Sequence, residues 1–270
     1  MYLQHWKLNE LPFENTPNPK FFYSSEAHEE ALSRLEYLVS ERKACGVLTG
    51  VYGCGKTFVL HALIKAVTPQ GGRFSVVTNP NLDAAGILRM VLYGFKKTSV
   101  PADKTQVLIE LQETFTKVAD DGKHSIVIID EAHAIEDQKV FEELRLLLNF
   151  QTEDRFLVTL LLVGQPELKA LVDANKQLNQ RVNLRYHLGP FSVEETGRYV
   201  HHRMKIAGCA DPGAVFPPSA VEVIHKQSGG IPRWINQVAH MSLLVGFSKS
   251  VQSLAPEMIQ EAAQDLGGFT

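Results

Sequence analysis

Between about residue 44 and residue 190, short apolar runs alternate with stretches of helical period. The runs are Cys45–Thr49, Phe74–Thr78, Ser125–Ile129, Phe156–Val163 and Leu184–Leu188. Several are apolar without alternation, the pattern of strands buried on both faces of a parallel sheet. Helical periods near 56–67, 83–95, 103–119, 137–150 and 166–174 fill the gaps. Strand and helix in alternation predict a layered α/β sheet with right-handed crossovers. A further helix from Ser25 to about Arg42 is predicted by Ala31, Leu32, Leu35, Leu38 and Val39 at helical spacing, with Glu26 and Glu29 in its first turn.

The two ends of the chain read differently. Residues 1–23 carry Pro12, Pro17 and Pro19 with Trp6, Phe13, Phe21, Phe22 and Tyr23, too many prolines for a helix and too many aromatics for a free tail. They predict an arm packed on the core. After Pro190 the pattern turns helical, opening at Ser192-Val-Glu-Glu195, the spacing of a capping box. Helices near 192–207, 219–228, 232–247 and 255–265 predict a small all-helical second domain. The predicted organisation is an arm over 1–23, an α/β domain over 24–190 and a helical domain over 191–270.

Composition narrows the class. Of 270 residues, 44% are hydrophobic and 21% charged, an ordinary globular mixture that excludes disorder. A formal charge of -3 gives no bulk basic character to advertise nucleic acid. Cys45, Cys54 and Cys209 are too few for a disulfide scaffold and favour a reducing compartment. The longest apolar stretch is far below the roughly 20 residues of a membrane span, and the N-terminus lacks a signal-peptide pattern. A cytoplasmic protein, or one peripheral to the inner membrane through a partner, is expected.

The chemistry lies at the ends of two predicted strands. Gly50-Val51-Tyr52-Gly53-Cys54-Gly55-Lys56-Thr57 has P-loop spacing, follows a strand and opens a helix. Glycines let backbone amides turn inward around phosphate oxygens, Lys56 reaches the β and γ phosphates, and Thr57 holds Mg²⁺. Phe58 continues the loop into the helix and joins the nucleotide-binding set. Ser125-Ile-Val-Ile-Ile-Asp130-Glu131-Ala-His133 is an apolar strand ending in two carboxylates. Asp130 is expected in the Mg²⁺ shell and Glu131 beside the attacking water. The Asp-Glu-Ala-His string suggests a nucleic-acid helicase, but such helicases need two sheet domains and the length allows one. His133 is therefore expected to be a local hydrogen-bonding residue.

Leu11-Pro-Phe13, Thr16-Pro-Asn-Pro-Lys-Phe-Phe-Tyr23, Glu142-Glu-Leu-Arg-Leu-Leu-Leu-Asn149, Leu162-Val-Gly-Gln-Pro-Glu-Leu168, Asn179-Gln-Arg-Val-Asn-Leu-Arg-Tyr-His-Leu188 and Gly229-Gly-Ile-Pro-Arg-Trp-Ile-Asn236 extend the pattern over essentially the whole chain. Together they resemble the ExeA/GspA family of AAA+ ATPases. That family is associated with type II secretion, MSHA-type pilus and exopolysaccharide/PEP-CTERM export, and is related to the TniB/TnsC/MuB-like ATPases of transposition. The resemblance implies an AAA+ P-loop fold with a five-stranded parallel sheet and a helical lid. It implies an ATP hydrolase using ATP and Mg²⁺, assembled as an ATP-dependent ring or filament that drives or regulates a secretion or envelope complex. Its rivals are an ATP-dependent DNA-binding regulator of transposition and a nucleotide-gated module with negligible turnover.

The resemblance also assigns residues. Gln165 is placed as sensor 1 near the γ-phosphate. Arg181 is placed as the finger that reaches a neighbour's nucleotide, with Arg185 the competing candidate, and Arg233 as sensor 2. Asn79 either restrains Glu131 or forms an Asn-Pro turn. His201-His202 is expected to be solvent-exposed, and Phe21-Phe22-Tyr23 to pack within the arm. The sequence ends at Thr270 with no membrane span or cell-wall-binding extension, so direct evidence for an envelope role is not expected from it.

Overall fold

The computed structural model describes residues 2–16, 18–96, 99–153 and 155–267; Pro17 of the predicted arm lies outside them. The chain forms two compact units, one of His28–Tyr52 and Lys56–Leu188, the other of Met1–Ala27, Gly53–Gly55 and Gly189–Thr270.

The first unit is built on strands β1 (Cys45–Gly50), β2 (Gly72–Val77), β3 (His124–Ile129), β4 (Val158–Gly164) and β5 (Val182–Leu188), all parallel, in the order β2-β3-β4-β1-β5. The central strands β1, β3 and β4 are buried at every position, as their unbroken apolar runs demand. β5, at one edge, alternates between exposed and half-buried residues before ending on buried Leu188. Phe156 pairs only with Gln151, so β4 starts two residues later than its apolar run suggests.

Helix α1 (Tyr2–His5) begins the chain, and α2 (Glu26–Ser40) leads into β1. Helices α3 (Lys56–Val67), α4 (Ala84–Lys96), α5 (Lys104–Asp120), α6 (Gln138–Leu147), α7 (Leu168–Ala174) and α8 (Lys176–Asn179) connect the strands. Val47, Val127, Ile129, Leu160 and Leu162 face a core shared with Val91 of α4, Phe115 of α5 and Phe141 of α6. On β1, Gly46 lets α2 approach closely, since a Cβ there would stand 2.5 Å from Leu38 Cδ2. Each fully buried leucine or phenylalanine contributes about 1.5–3 kcal/mol, so these layers fix the strand ends that carry the chemistry.

The second unit contains α9 (Val193–Ile206), α10 (Pro212–Val215), α11 (Pro218–Ser228), α12 (Pro232–Ser248) and α13 (Pro256–Asp265). Its first long helix opens on the expected capping box: Ser192 Oγ accepts from Glu195 N at 3.1 Å, and Glu195 Oε2 accepts from Ser192 N at 3.0 Å. The arm belongs to this unit. Tyr2, Trp6, Leu8, Phe13 and Phe21 are buried among Phe191, Val200, Phe216 and Leu243 of the same unit. Polar groups hold this arrangement: Trp6 Nε1 donates to Leu243 O at 3.0 Å, and the buried Arg203 donates to Pro12 O at 2.6 Å and Glu14 O at 2.9 Å.

His201 and His202 depart from the exposed pair expected. His201 Nε2 sits 2.9 Å from Phe216 O, and His202 lies against the Tyr23 ring with its Nε2 buried. Among the described residues no cluster of three His, Cys, Asp or Glu could hold a metal ion, and no helix is long and apolar enough to cross a membrane.

Candidate functional site

The P-loop leaves β1, flanked in the sheet by β4 and β5, and enters α3 at Lys56. Gly53 and Gly55 adopt φ of +85° and +104°, values a side chain strains against and of the kind that lets successive amides line an anion-binding concavity. Gly53 has a second constraint: a Cβ there would stand 2.6 Å from Cβ of Arg233. Gly53 and Arg233 belong to the same compact unit, where Arg233 follows Pro232 in the first turn of α12. Gly229 and Gly230, both at positive φ, form the expected bend before that helix. Lys56 is 6% exposed, and its Nζ donates to Gly50 O at 2.7 Å and Val51 O at 3.2 Å. Thr57 is exposed in the first turn of α3, Cys54 is buried, and Tyr52 is exposed.

β3 ends at Ile129, and Asp130 follows with 8% exposure. Its amide donates to Val77 O at 2.8 Å, while its Oδ1 accepts from Glu131 N at 2.9 Å. Burial pushes the Asp130 carboxyl above its ordinary pKa; the Glu131 amide opposes this, the Glu131 charge adds to it, and the charges of Lys56 and His133 oppose it. Glu131 has φ +53° and ψ +33°, a left-handed backbone that costs a non-glycine residue about 1–3 kcal/mol. That turn is fixed by Ala134 N donating to Glu131 O at 2.8 Å.

β4 lies between β1 and β3, with Gly164 paired to Thr49 and Leu162 paired to both Val47 and Ile129. Gln165, the next residue, therefore emerges at the same sheet edge between the P-loop and the carboxylates. Asn79 is exposed in the turn after β2, and among the described residues no hydrogen bond joins it to Glu131. The group beside Glu131 is His133, whose Nδ1 lies 3.3 Å from Glu131 Oε2 and whose Nε2 lies 3.0 Å from Gln165 Nε2. Spacing within the Asp-Glu-Ala-His string identified His133 as polar and near, but its second partner comes from a strand 32 residues further on.

Arg181 and Arg185 sit elsewhere. Arg181 directly precedes β5, at the opposite end of the strands from Lys56, roughly 20 Å away at ~3.3 Å per residue. It donates to Asn149 Oδ1 at 3.4 Å and lies over the Phe156 ring. Arg185, within β5, is engaged by Asp173 at 3.1 Å and by Asn179.

Comparison with known proteins bears on the family and the fold. A family model described as an AAA domain matches residues 39–172. General secretion pathway protein A of Aeromonas hydrophila is 35% identical over 275 residues, which take in 100% of this chain and 49% of that protein. The chain thus spans about half the length of that relative. Among solved structures, the Aeropyrum pernix ORC2 protein in its ADPNP-ADP complexes superposes with a TM-score of 0.65 at 18% identity, over 96% of this chain and 72% of that one. Drosophila ORC bound to DNA gives a TM-score of 0.72 at 15% identity, over 98% and 65%. At such identities the likeness is one of fold.

Proposed function

Because this chain belongs to the AAA+ family of P-loop NTPases, of the type of general secretion pathway protein A, we propose that it binds and hydrolyses MgATP at interfaces between its own copies to drive assembly of a secretion or envelope complex. The observation that carries this reading is the convergence of three strand ends: Lys56 after β1, Asp130 and Glu131 after β3, and Gln165 after β4, at one edge of the sheet.

The residues suit their roles. MgATP supplies the phosphoryl group and the anionic charge that the site must stabilise. The Gly53 and Gly55 turns offer backbone amides, and Lys56, held by two carbonyls that a phosphate oxygen can replace, offers its ammonium group. Thr57 and Asp130 provide an oxygen pair of the kind a hard divalent cation takes. Glu131 orients and polarises the attacking water, with Gln165 beside it. Arg233 against Gly53 is suited to sensing nucleotide from the helical unit. Arg181 is our choice of trans finger, because it stands at the strand end remote from its own P-loop; Arg185 is already paired within its own subunit.

The secretion assignment is supported by the relative named for that pathway. The test is hydrolysis per copy as the protein is diluted, together with the size of Glu131→Gln assemblies in ATP and in ADP. Specific activity should fall on dilution, and ATP should give the larger assembly. Constant specific activity with equal sizes would rule out interface catalysis.

A further inference from the structure

His133 Nδ1 has two claimants. Glu131 Oε2, a carboxylate oxygen that can only accept, lies 3.3 Å away; Gln165 N, a backbone donor, also lies 3.3 Å away. A neutral imidazole nitrogen is either donor or acceptor, so one claimant is satisfied at a time. The other ring nitrogen reports the choice. With the proton on Nδ1, the ring donates to Glu131, and Nε2 accepts from the Gln165 side-chain amide 3.0 Å away. With the proton on Nε2, Nδ1 accepts the Gln165 backbone N–H, and the Gln165 side chain must turn its Oε1 toward the ring. The orientation of the Gln165 amide and the hold on the Glu131 carboxylate are therefore two readings of one tautomer.

We infer that His133 is the positioning residue through which Gln165 controls Glu131, by exchange of the ring proton between Nδ1 and Nε2. The inference rests on the reading above that Gln165 faces the terminal phosphate. An anionic oxygen there draws the Gln165 N–H₂ toward itself and turns Oε1 to the ring, which favours the proton on Nε2. Nδ1 then presents a lone pair to Glu131, and the carboxylate is released to take a hydrogen bond from water. The proton leaving Nδ1 is returned at Nε2, so the ring stays neutral. With the His133 side chain 18% exposed, solvent can carry that proton. Glu131 is thereby freed when a terminal phosphate is in reach, and held otherwise. Its left-handed backbone suits this role, because it turns the carboxylate toward its own chain two residues on.

The test compares the full-length wild type with His133→Ala, Gln165→Ala and the double variant, measuring kcat, KM and ADP affinity. It adds ¹⁵N spectra of the histidine rings in wild type with ADP and with adenylyl imidodiphosphate, assigned by the His133→Ala spectrum. Gln165→Ala, which leaves the ring holding Glu131, should lose about tenfold in kcat, less than the 10²–10⁴ of losing a general base outright, with ADP affinity unchanged. The double variant should be faster than Gln165→Ala, because the hold on Glu131 goes with the His133 ring. The protonated nitrogen of His133 should change from Nδ1 with ADP to Nε2 with the ATP analogue. A double variant no faster than Gln165→Ala, or the same ring tautomer with both nucleotides, would overturn the inference while leaving the ATPase reading intact. A wild type that neither binds nor hydrolyses ATP would overturn both.

Discussion

Lys56 Nζ donates to the carbonyl oxygen of Gly50, the last residue of β1, across 2.7 Å. The loop thus holds its own cation at the centre of the cradle with little solvent contact. Lys56→Ala should leave the fold in place and lower MgATP affinity at least 100-fold, since charge-assisted bonds to phosphate are lost. Calorimetric titration measures this, and an unchanged affinity would remove Lys56 from the site.

Gly53→Ala should be nearly as damaging by a different route. A side chain at φ +85° is strained by about 1–2 kcal/mol, and its Cβ would stand 2.6 Å from Arg233 Cβ, a backbone-proximal atom with little freedom to move. Nucleotide affinity should fall although every charged group remains. A Gly53→Ala protein that binds MgATP like wild type would show that the loop's conformation is not set at this residue.

For the two arginines, mixing is decisive. Arg181→Ala should keep nucleotide affinity and lose about 10³-fold or more in hydrolysis, the scale of a trans finger. Mixed with Lys56→Ala protein it should recover activity, because one interface then pairs an intact P-loop with an intact finger. Recovery by Arg185→Ala in its place would move the finger four residues along the chain and break the Asp173 pair as the price of activity.

His124 predicts a pH dependence of stability. It is 7% exposed and its Nε2 lies 2.8 Å from Thr159 Oγ1, whose proton goes to Lys43 O at 2.7 Å; Nε2 is therefore the protonated nitrogen of a neutral ring. Burial, with the charges of Arg42 and Arg155, lowers its pKa to about 4. Between about 6.5 and about 4 the unfolded chain binds more protons than the folded one, so stability is full above that window and falls as pH falls through it. The loss approaches ~1.4 kcal/mol per pH unit, and His124→Gln should flatten it. Urea midpoints at pH 7 and pH 5 for both proteins provide the check; parallel slopes would mean that His124 is not the group responsible.

The sheet was legible because its central strands are unbroken apolar runs and its helices keep a clean period, so β3 and α3 fall within a residue of expectation. Asp130 and Gln165 were legible as strand-end residues because each directly follows an apolar run, and Lys56 because the glycine loop ahead of it opens a helix. What stayed hidden depends on partners distant in sequence. Aromatic content showed that Trp6 and Phe13 are buried, but not that the burying surface is Leu243 and Phe216. Asn79 was offered as the restraint on Glu131 and His133 only as a local hydrogen-bonding residue, and it is His133 that lies 3.3 Å from Glu131 Oε2. The His201 ring was misjudged because its acceptor, Phe216 O, belongs to a segment with no periodic signature.

Arg203 donates to Pro12 O across a separation of 191 residues. During synthesis the arm therefore leaves the ribosome long before its binding surface exists, and at ~5–20 residues per second it waits roughly 10–40 s. Throughout that interval Trp6, Phe13 and Phe21 are exposed on an incomplete chain, a natural target for a chaperone that binds aromatic segments. A nascent chain stalled before Gly189 should hold its arm protease-sensitive, and one released beyond α12 should not.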